Sequence, residues 1–392
     1  MSMARLAWAY LAARPLLTLL HVVLLALGVA TIVFLLLFTA QTQERLERDA
    51  RGIDLVVGAK GSPLQLILSS VYHVDIPTGN IPLKDAQALA RHRLVALAVP
   101  LALGDSVHGF RIVGTEESFL RLYGAKLARG KLFGEDMEAV LGAEAARRLK
   151  LDVGGKFVGA HGLAAGSASQ HADHPFQVTG VLAPTGTAID KLVLTSVESV
   201  WEVHAGHGST GEREITAMLI KYNTPVAAMQ LPRFVNATTS MQAASPAFEG
   251  ARLMNLVGAG VETLRIFALV LMASAALSVF IALTSALEER RYDLALLRTL
   301  GARPAHLFTL VAAEGMTLVV AGAILGLALG HGAAEALGRL LEDSGRWPVT
   351  GAAWESGEAW ILLGVLAVGA ATCLIPAFLA YRRDPAPMLL KR

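Results

Sequence analysis

Glu288-Glu289-Arg290-Arg291-Tyr292-Asp293-Leu294-Ala295-Leu296-Leu297-Arg298-Thr299-Leu300-Gly301-Ala302 lies between two apolar runs, residues 266–286 and 308–330. On a 3.6-residue helix, Leu294, Leu296, Leu297 and Leu300 fall on one side. Glu288, Arg291 and Arg298 fall on the other. Gly301 suits a helix C-cap, and Pro304 stops continuation. A short two-faced helix between two membrane spans is what a membrane protein needs to dock a soluble motor.

Working outward, the 392-residue chain is 54% hydrophobic with a net charge of +2. It is too apolar for an ordinary soluble protein and too polar to be all membrane. A few spans plus a large water-exposed domain are expected. Nothing in the net charge argues for nucleic acid. The one cysteine, Cys373, lies in an apolar run, so an intrachain disulfide is excluded.

Four segments reach the roughly 20 residues that a helical span needs. They are placed at 16–40, 258–286, 307–332 and 358–381. The first is too long for a signal-peptide core and lacks a small-x-small cleavage site after it, so it reads as a retained span. Arg5 and Arg14, then Arg290, Arg291, Arg298 and Arg303, then Arg382, Arg383, Lys391 and Arg392 share one side only with four spans and both termini inside. Residues 1–15, 287–306 and 382–392 are then cytoplasmic, and 41–257 and the loop 333–357 lie outside.

Span one runs into Gln41-Thr42-Gln43-Glu44-Arg45-Leu46-Glu47-Arg48-Asp49-Ala50. Glu44 with Arg48 and Arg45 with Asp49 are i,i+4 pairs, so the helix is expected to project beyond the membrane as a stalk until Gly52. Ser245-Pro246 reads as the start of a matching helix entering span two. Between them, strand and helix patterns alternate. Strands are expected near 53–57, 94–103, 110–113, 156–158, 176–182, 191–194 and 215–222. Helices are expected near 62–72, 83–92, 117–123, 143–149 and 226–236, the first with Pro63 at its opening position. Residues 159–174 read as a loop. The fold class is therefore membrane α-helical, four helices, with an α+β extracytoplasmic domain between spans one and two, large enough for two subdomains.

The order of one span, a large outer domain and three spans resembles the FtsX/MacB-like permeases of ABC transporters. The resemblance rests on two stretches. Glu289-Arg290, Leu294-Ala295-Leu296-Leu297-Arg298 and Gly301-Ala302 fit that family's "E-R-x-x-E-x-A-x-L-R-x-x-G-A" run, with Asp293 where a second Glu is usual. Pro376-Ala377, then Ala380-Tyr381-Arg382-Arg383-Asp384-Pro385, then Met388-Leu389-Leu390-Lys391 resemble its closing "P-A-x-x-A-x-R-x-D-P-x-x-A-L-R". The resemblance implies a bacterial inner-membrane permease, paired with a second copy and driven by cytoplasmic ABC ATPase subunits that hold ATP and Mg. It also implies that Glu289, Arg290, Arg291, Leu294, Leu297, Arg298 and Gly301 meet that ATPase. Movement of the outer domain would export or extract a lipoprotein, a peptide or another hydrophobic substrate, or regulate a periplasmic partner such as a cell-wall hydrolase.

The chain is expected to be non-catalytic. No G-x-x-x-x-G-K-[ST] loop is present to cradle phosphates, and no G-x-S-x-G or H-E-x-x-H context is found. Glu314 lies inside span three, where a carboxylate needs a partner or access to the interface. A coupling-loop arginine is the candidate partner. Arg291 and Arg298 carry two readings, pairing with an ATPase groove or contact with lipid headgroups. Outside the membrane, His171-x-x-His174 and His204-x-x-His207 could offer imidazoles to a metal, which would make the chain a metal-linked transport component, or could simply be solvated polar loops. The apolar helix after Lys60 reads as core in preference to a lipid-like ligand surface.

Overall fold

The computed structural model describes residues 9–161, 175–204, 212–290, 296, 299, 301, 303–343 and 349–382. The chain divides into two compact units, Gln43–Leu256 and Met1–Thr42 with Val257–Arg392.

In chain order the elements are α1 (Pro15–Asp49), β1 (Leu55–Ala59), α2 (Pro63–Ser70), β2 (Ile81–Pro82), α3 (Leu83–Ala90), β3 (Val95–Val107) and β4 (Phe110–Thr115). There follow α4 (Glu117–Leu122), β5 (Leu127–Gly130), β6 (Glu138–Leu141), α5 (Ala143–Leu149), β7 (Lys156–Phe157), β8 (Ala160–His161) and β9 (Phe176–Leu182). A 3-10 turn, Ala188–Lys191, leads to β10 (Leu192–Ser196), α6 (Val197–His204), β11 (Glu214–Ile215), β12 (Ala217–Tyr222), α7 (Ala227–Thr238) and β13 (Met241–Ala244). The chain then forms α8 (Pro246–Glu289), α9 (Pro304–Asp343) and α10 (Ser356–Arg382).

The outer unit is α+β, built on one sheet path in the order β13-β1-β12-β3-β4-β10-β6-β9-β5. Its organiser is β3, which is 13 residues long. The first part of β3 pairs with β12, and the part from Ala102 onward pairs with β4. Two hydrophobic cores follow from that division. One gathers Leu55, Val57, Ile81, Leu89, Met218, Ile220, Leu231 and Val235. The other gathers Ile112, Leu141, Phe157, Phe176, Val178 and Val193. Both cores lie along one sheet path within a single compact unit.

Local chemistry explains most of the elements. Ser62 caps α2 by accepting from the Gln65 N–H, with Pro63 in the first turn. Leu66 and Ile67 of that helix are buried, so its apolar face is core. Gly52 follows α1 at a φ of +84°, a conformation open to glycine. Both stalk pairs are present, Glu44 with Arg48 and Arg45 with Asp49 at 3.6 Å. Three differences stand out. Residues 160–161 form β8 within the stretch read as a loop, because they pair with β3. β5, β6, β13 and α6 carry little alternation and were not foreseen. The third long helix continues to Asp343, so residues 333–343 are helix where a loop was expected. Ala333, Ala334, Ala336 and Leu337 favour helix, and Arg339 donates to Glu335 one turn earlier at 3.1 Å.

In the other unit, α1, α8, α9 and α10 are long and apolar enough to cross a membrane. Without a hydrophobic force between helices in lipid, close packing depends on small residues. Gly322, Gly326 and Gly330 form a row at four-residue spacing on α9, set against Leu25, Val29 and Val33 of α1. A Cβ at Gly326 would stand 2.6 Å from the Val29 Cβ and 2.7 Å from the Ala26 carbonyl oxygen. Gly326→Leu is therefore expected to destabilise by about 1–3 kcal/mol or more through overpacking. Thermal unfolding of the purified chain in detergent checks this, with Gly326→Ala falling between; an unchanged transition in both contradicts the packing.

Candidate coupling site

The amphipathic stretch opens at the end of α8, and its first residues are tied to two other segments of the same unit. Arg290 Nη1 donates to Glu314 Oε1 at 2.9 Å and to Oε2 at 3.3 Å. Glu314 sits about three turns into α9 and is 5% exposed. The Arg290 guanidinium also lies over the Tyr10 ring, 3.7 Å from its centroid. Beside it, Arg14 pairs with Glu289. One arginine thus joins the N-terminal segment, the end of α8 and the start of α9. A carboxylate at such a depth costs roughly 2.5–3.5 kcal/mol when alone. The charge-assisted contact of Nη1 with both carboxylate oxygens and the cation–π contact offset that cost.

The rest of the predicted coupling set divides clearly. Gly301 has a φ of +96°, as a C-cap position requires. Arg291, Leu294, Leu297 and Arg298 lie outside the described residues.

Sequence reading missed a second polar cluster, which joins α9, residues 350–358 and α1. His331 Nδ1 contacts the Gly351 carbonyl at 2.6 Å, and its Nε2 contacts Glu358 Oε2 at 2.7 Å. Glu358 is fully buried. It also accepts from the Glu355 N–H at 2.8 Å. Trp354 stacks on the His331 ring, with centroids 5.4 Å apart. Gln41 of α1 closes a two-bond pair with the Thr350 backbone, at 2.8 Å each way. The available signal was a histidine and two carboxylates flanking the last two spans.

In the outer unit, His204 closes α6, while His171, His174 and His207 lie outside the described residues. Contact with Asp105, and with the Val200 carbonyl, holds the His204 pKa above the usual imidazole range despite partial burial. Among the described residues, no three potential metal-ligating side chains converge. Arg111 of β4 donates to the Ser69 carbonyl at 3.1 Å and the Asp75 carbonyl at 2.6 Å. Its burial pushes its pKa down to about 10. A cavity of about 470 Å³ lies within this unit, lined by Leu46 and Ala50 of α1, by Tyr72, and by Ala247, Gly250 and Met254 of α8.

Four membrane-length helices, an α+β domain inserted between the first two, and a polar stretch between the second and third define a multi-pass membrane protein of the permease class. Comparison places it more closely. A model of the MacB-like periplasmic core domain matches residues 18–232, and a model of the FtsX-like permease C-terminal region matches residues 265–385. The chain belongs to the FtsX/MacB-like permeases and is an ABC transporter permease subunit. Among solved structures, the periplasmic region of MacB from Actinobacillus actinomycetemcomitans is 17% identical, covering 53% of this chain and 96% of its own, with a TM-score of 0.35. The extracellular domain of the noncanonic ABC-type transporter YknZ from Gram-positive bacteria is 13% identical, covering 49% and 99%, with a TM-score of 0.31. No curated protein matches the chain.

Proposed function

We propose that this chain is the non-catalytic half of a motor. It works as a pair of copies with a separate cytoplasmic ABC ATPase that holds ATP and Mg. The membrane is the bacterial inner membrane, with both termini cytoplasmic and the large unit periplasmic, the orientation favoured by the arginines of the short flanks. Residues 287–306 receive the ATPase movement and pass it through α1 and α8 to the outer domain. That domain exports or extracts a lipoprotein, a peptide or another hydrophobic substrate.

The observation that carries this reading is the link made by Arg290. A coupling segment transmits force only if its root is tied to the spans. Here the residue that opens the segment binds Glu314 at 2.9 Å and covers Tyr10. Leu294, Leu297 and Arg298 then serve as the contact face. Arg298→Glu is expected to lower co-purification of the ATPase or the hydrolysis that the permease stimulates. Unchanged assembly together with unchanged turnover rejects the assignment.

A further inference from the structure

Two segments meet at one end of the outer unit. Asn223 donates its backbone N–H to the Leu94 carbonyl at 3.0 Å and its side-chain amide to the Arg93 carbonyl at 3.3 Å. The His92 ring stacks on Phe234 of α7, with centroids 5.3 Å apart. Residues 91–94 and α7 therefore share one surface. Both connections to the spans leave the sheet at this end. Asp54, five residues beyond α1, donates its N–H to the Ile220 carbonyl and accepts from the Tyr222 N–H. Ala244 closes β13 opposite Val56, two residues before α8 begins.

This surface is cationic and apolar at once. Arg91, Arg93 and Arg233 are exposed, and among the described residues no carboxylate pairs with any of them. Neither 86–104 nor 215–248 contains an Asp or Glu. The carboxylate at this end, Asp54, is held by the Tyr222 N–H at 2.7 Å. The same surface carries Val226, Met229 and Phe234, which are 53%, 69% and 43% exposed. α7 buries Leu231 and Val235 and leaves Met229 and Arg233, one helical turn apart, in solvent. Single exposed apolar side chains are ordinary on a protein. Three of them beside three arginines without acidic partners mark a contact surface.

We propose that this surface docks the outer unit onto the headgroups of an anionic phospholipid bilayer. Guanidinium forks match phosphate oxygens, and apolar side chains beside them enter the interface, as in peripheral membrane contacts. An acidic soluble protein would also satisfy the arginines. The tethers favour lipid. Helix residues 41–49, between span one and the sheet, rise about 14 Å, so a surface at the tethered end has the bilayer within reach. None of these residues belongs to the coupling site. The contact holds for either orientation of the chain and for any cargo, so its failure leaves the ATPase reading untouched.

The test uses the full-length chain carrying Cys373→Ala, reconstituted into vesicles of phosphatidylglycerol with phosphatidylcholine, or of phosphatidylcholine alone. A fluorophore on Met229→Cys reports contact through quenching by a lipid with a nitroxide on its headgroup. Strong quenching is expected in the anionic vesicles, and less in the neutral ones or as salt rises. A fluorophore on Ile76→Cys should stay bright, because Thr78 ties that loop to Ala59 at the other end of β1. Arg91→Gln, Arg93→Gln and Arg233→Gln together should weaken the contact roughly 100-fold, at about fivefold per charge. Absence of quenching at Met229→Cys in anionic vesicles overturns the proposal. So does quenching of equal strength in neutral lipid, quenching that survives the triple change, or equal quenching at Ile76→Cys. A periplasmic protein whose co-purification is lost in the triple variant, with no lipid quenching, gives the surface to an acidic partner and also overturns it. Should the triple variant misfold, the lipid and salt dependence of Met229→Cys alone decides.

Discussion

Glu314→Ala is expected to destabilise the membrane unit by about 3–5 kcal/mol, because it leaves the Arg290 guanidinium without its buried partner. Arg290 and Glu314 side chains are 16% and 7% exposed, so solvent does little to replace the lost contact. Arg290→Ala should cost as much or more, since it also uncovers Tyr10. The two variants together should cost less than the sum of the singles, as expected for residues in contact. Thermal unfolding in detergent gives the stability terms. Stimulated ATP hydrolysis by the assembled complex gives the functional term. Under the proposed function, the single variants keep ATPase binding but lose the link between hydrolysis and outer-domain work. Glu314→Gln keeps an acceptor for Arg290 and should fall between. Wild-type stability in Glu314→Ala, or strict additivity of the two changes, removes the pair from the mechanism.

The gross architecture was legible because its signals are long. Four apolar runs are long enough to read as spans, and the continuation of α1 to Asp49 was readable from Glu44, Arg45, Arg48 and Asp49 at helical spacing. β9 and α5 were located to the residue. β6 and β13 were not, since Glu138-Ala139-Val140-Leu141 and Met241-Gln242-Ala243-Ala244 are four-residue strands whose partners are distant in sequence. β6 lies between β10 and β9, and only that pairing makes it a strand. Glu314 was identifiable as an anomaly in an apolar run, and its pairing with a coupling-loop arginine is what the geometry contains. The choice of Arg290 over the other arginines depends on where α8 ends, which composition does not specify. Asp105 carried no signal at all. It becomes interesting only when α6 brings His204 to it.

Glu358→Ala is expected to loosen the far ends of the spans by a comparable amount, about 3–5 kcal/mol. Glu358 is wholly buried and serves two donors, His331 Nε2 at 2.7 Å and the Glu355 N–H at 2.8 Å. Its loss frees the first turn of α10 and the His331 ring together. His331 in turn holds the Gly351 carbonyl, next to Thr350, which Gln41 clamps to α1. The chain of contacts therefore runs from α10 through α9 to α1 without leaving one unit. Gly351 makes this closeness possible, because a Cβ there would stand 2.1 Å from the His331 carbonyl oxygen. Glu358→Gln keeps one acceptor and should retain part of the stability, whereas His331→Ala should approach Glu358→Ala. Hydrogen exchange of amides 349–358 localises the effect. Faster exchange confined to these residues and the first turn of α10 is the expected pattern. Protection equal to wild type in Glu358→Ala means that helix packing alone sets the ends, and that the polar cluster contributes nothing to their order.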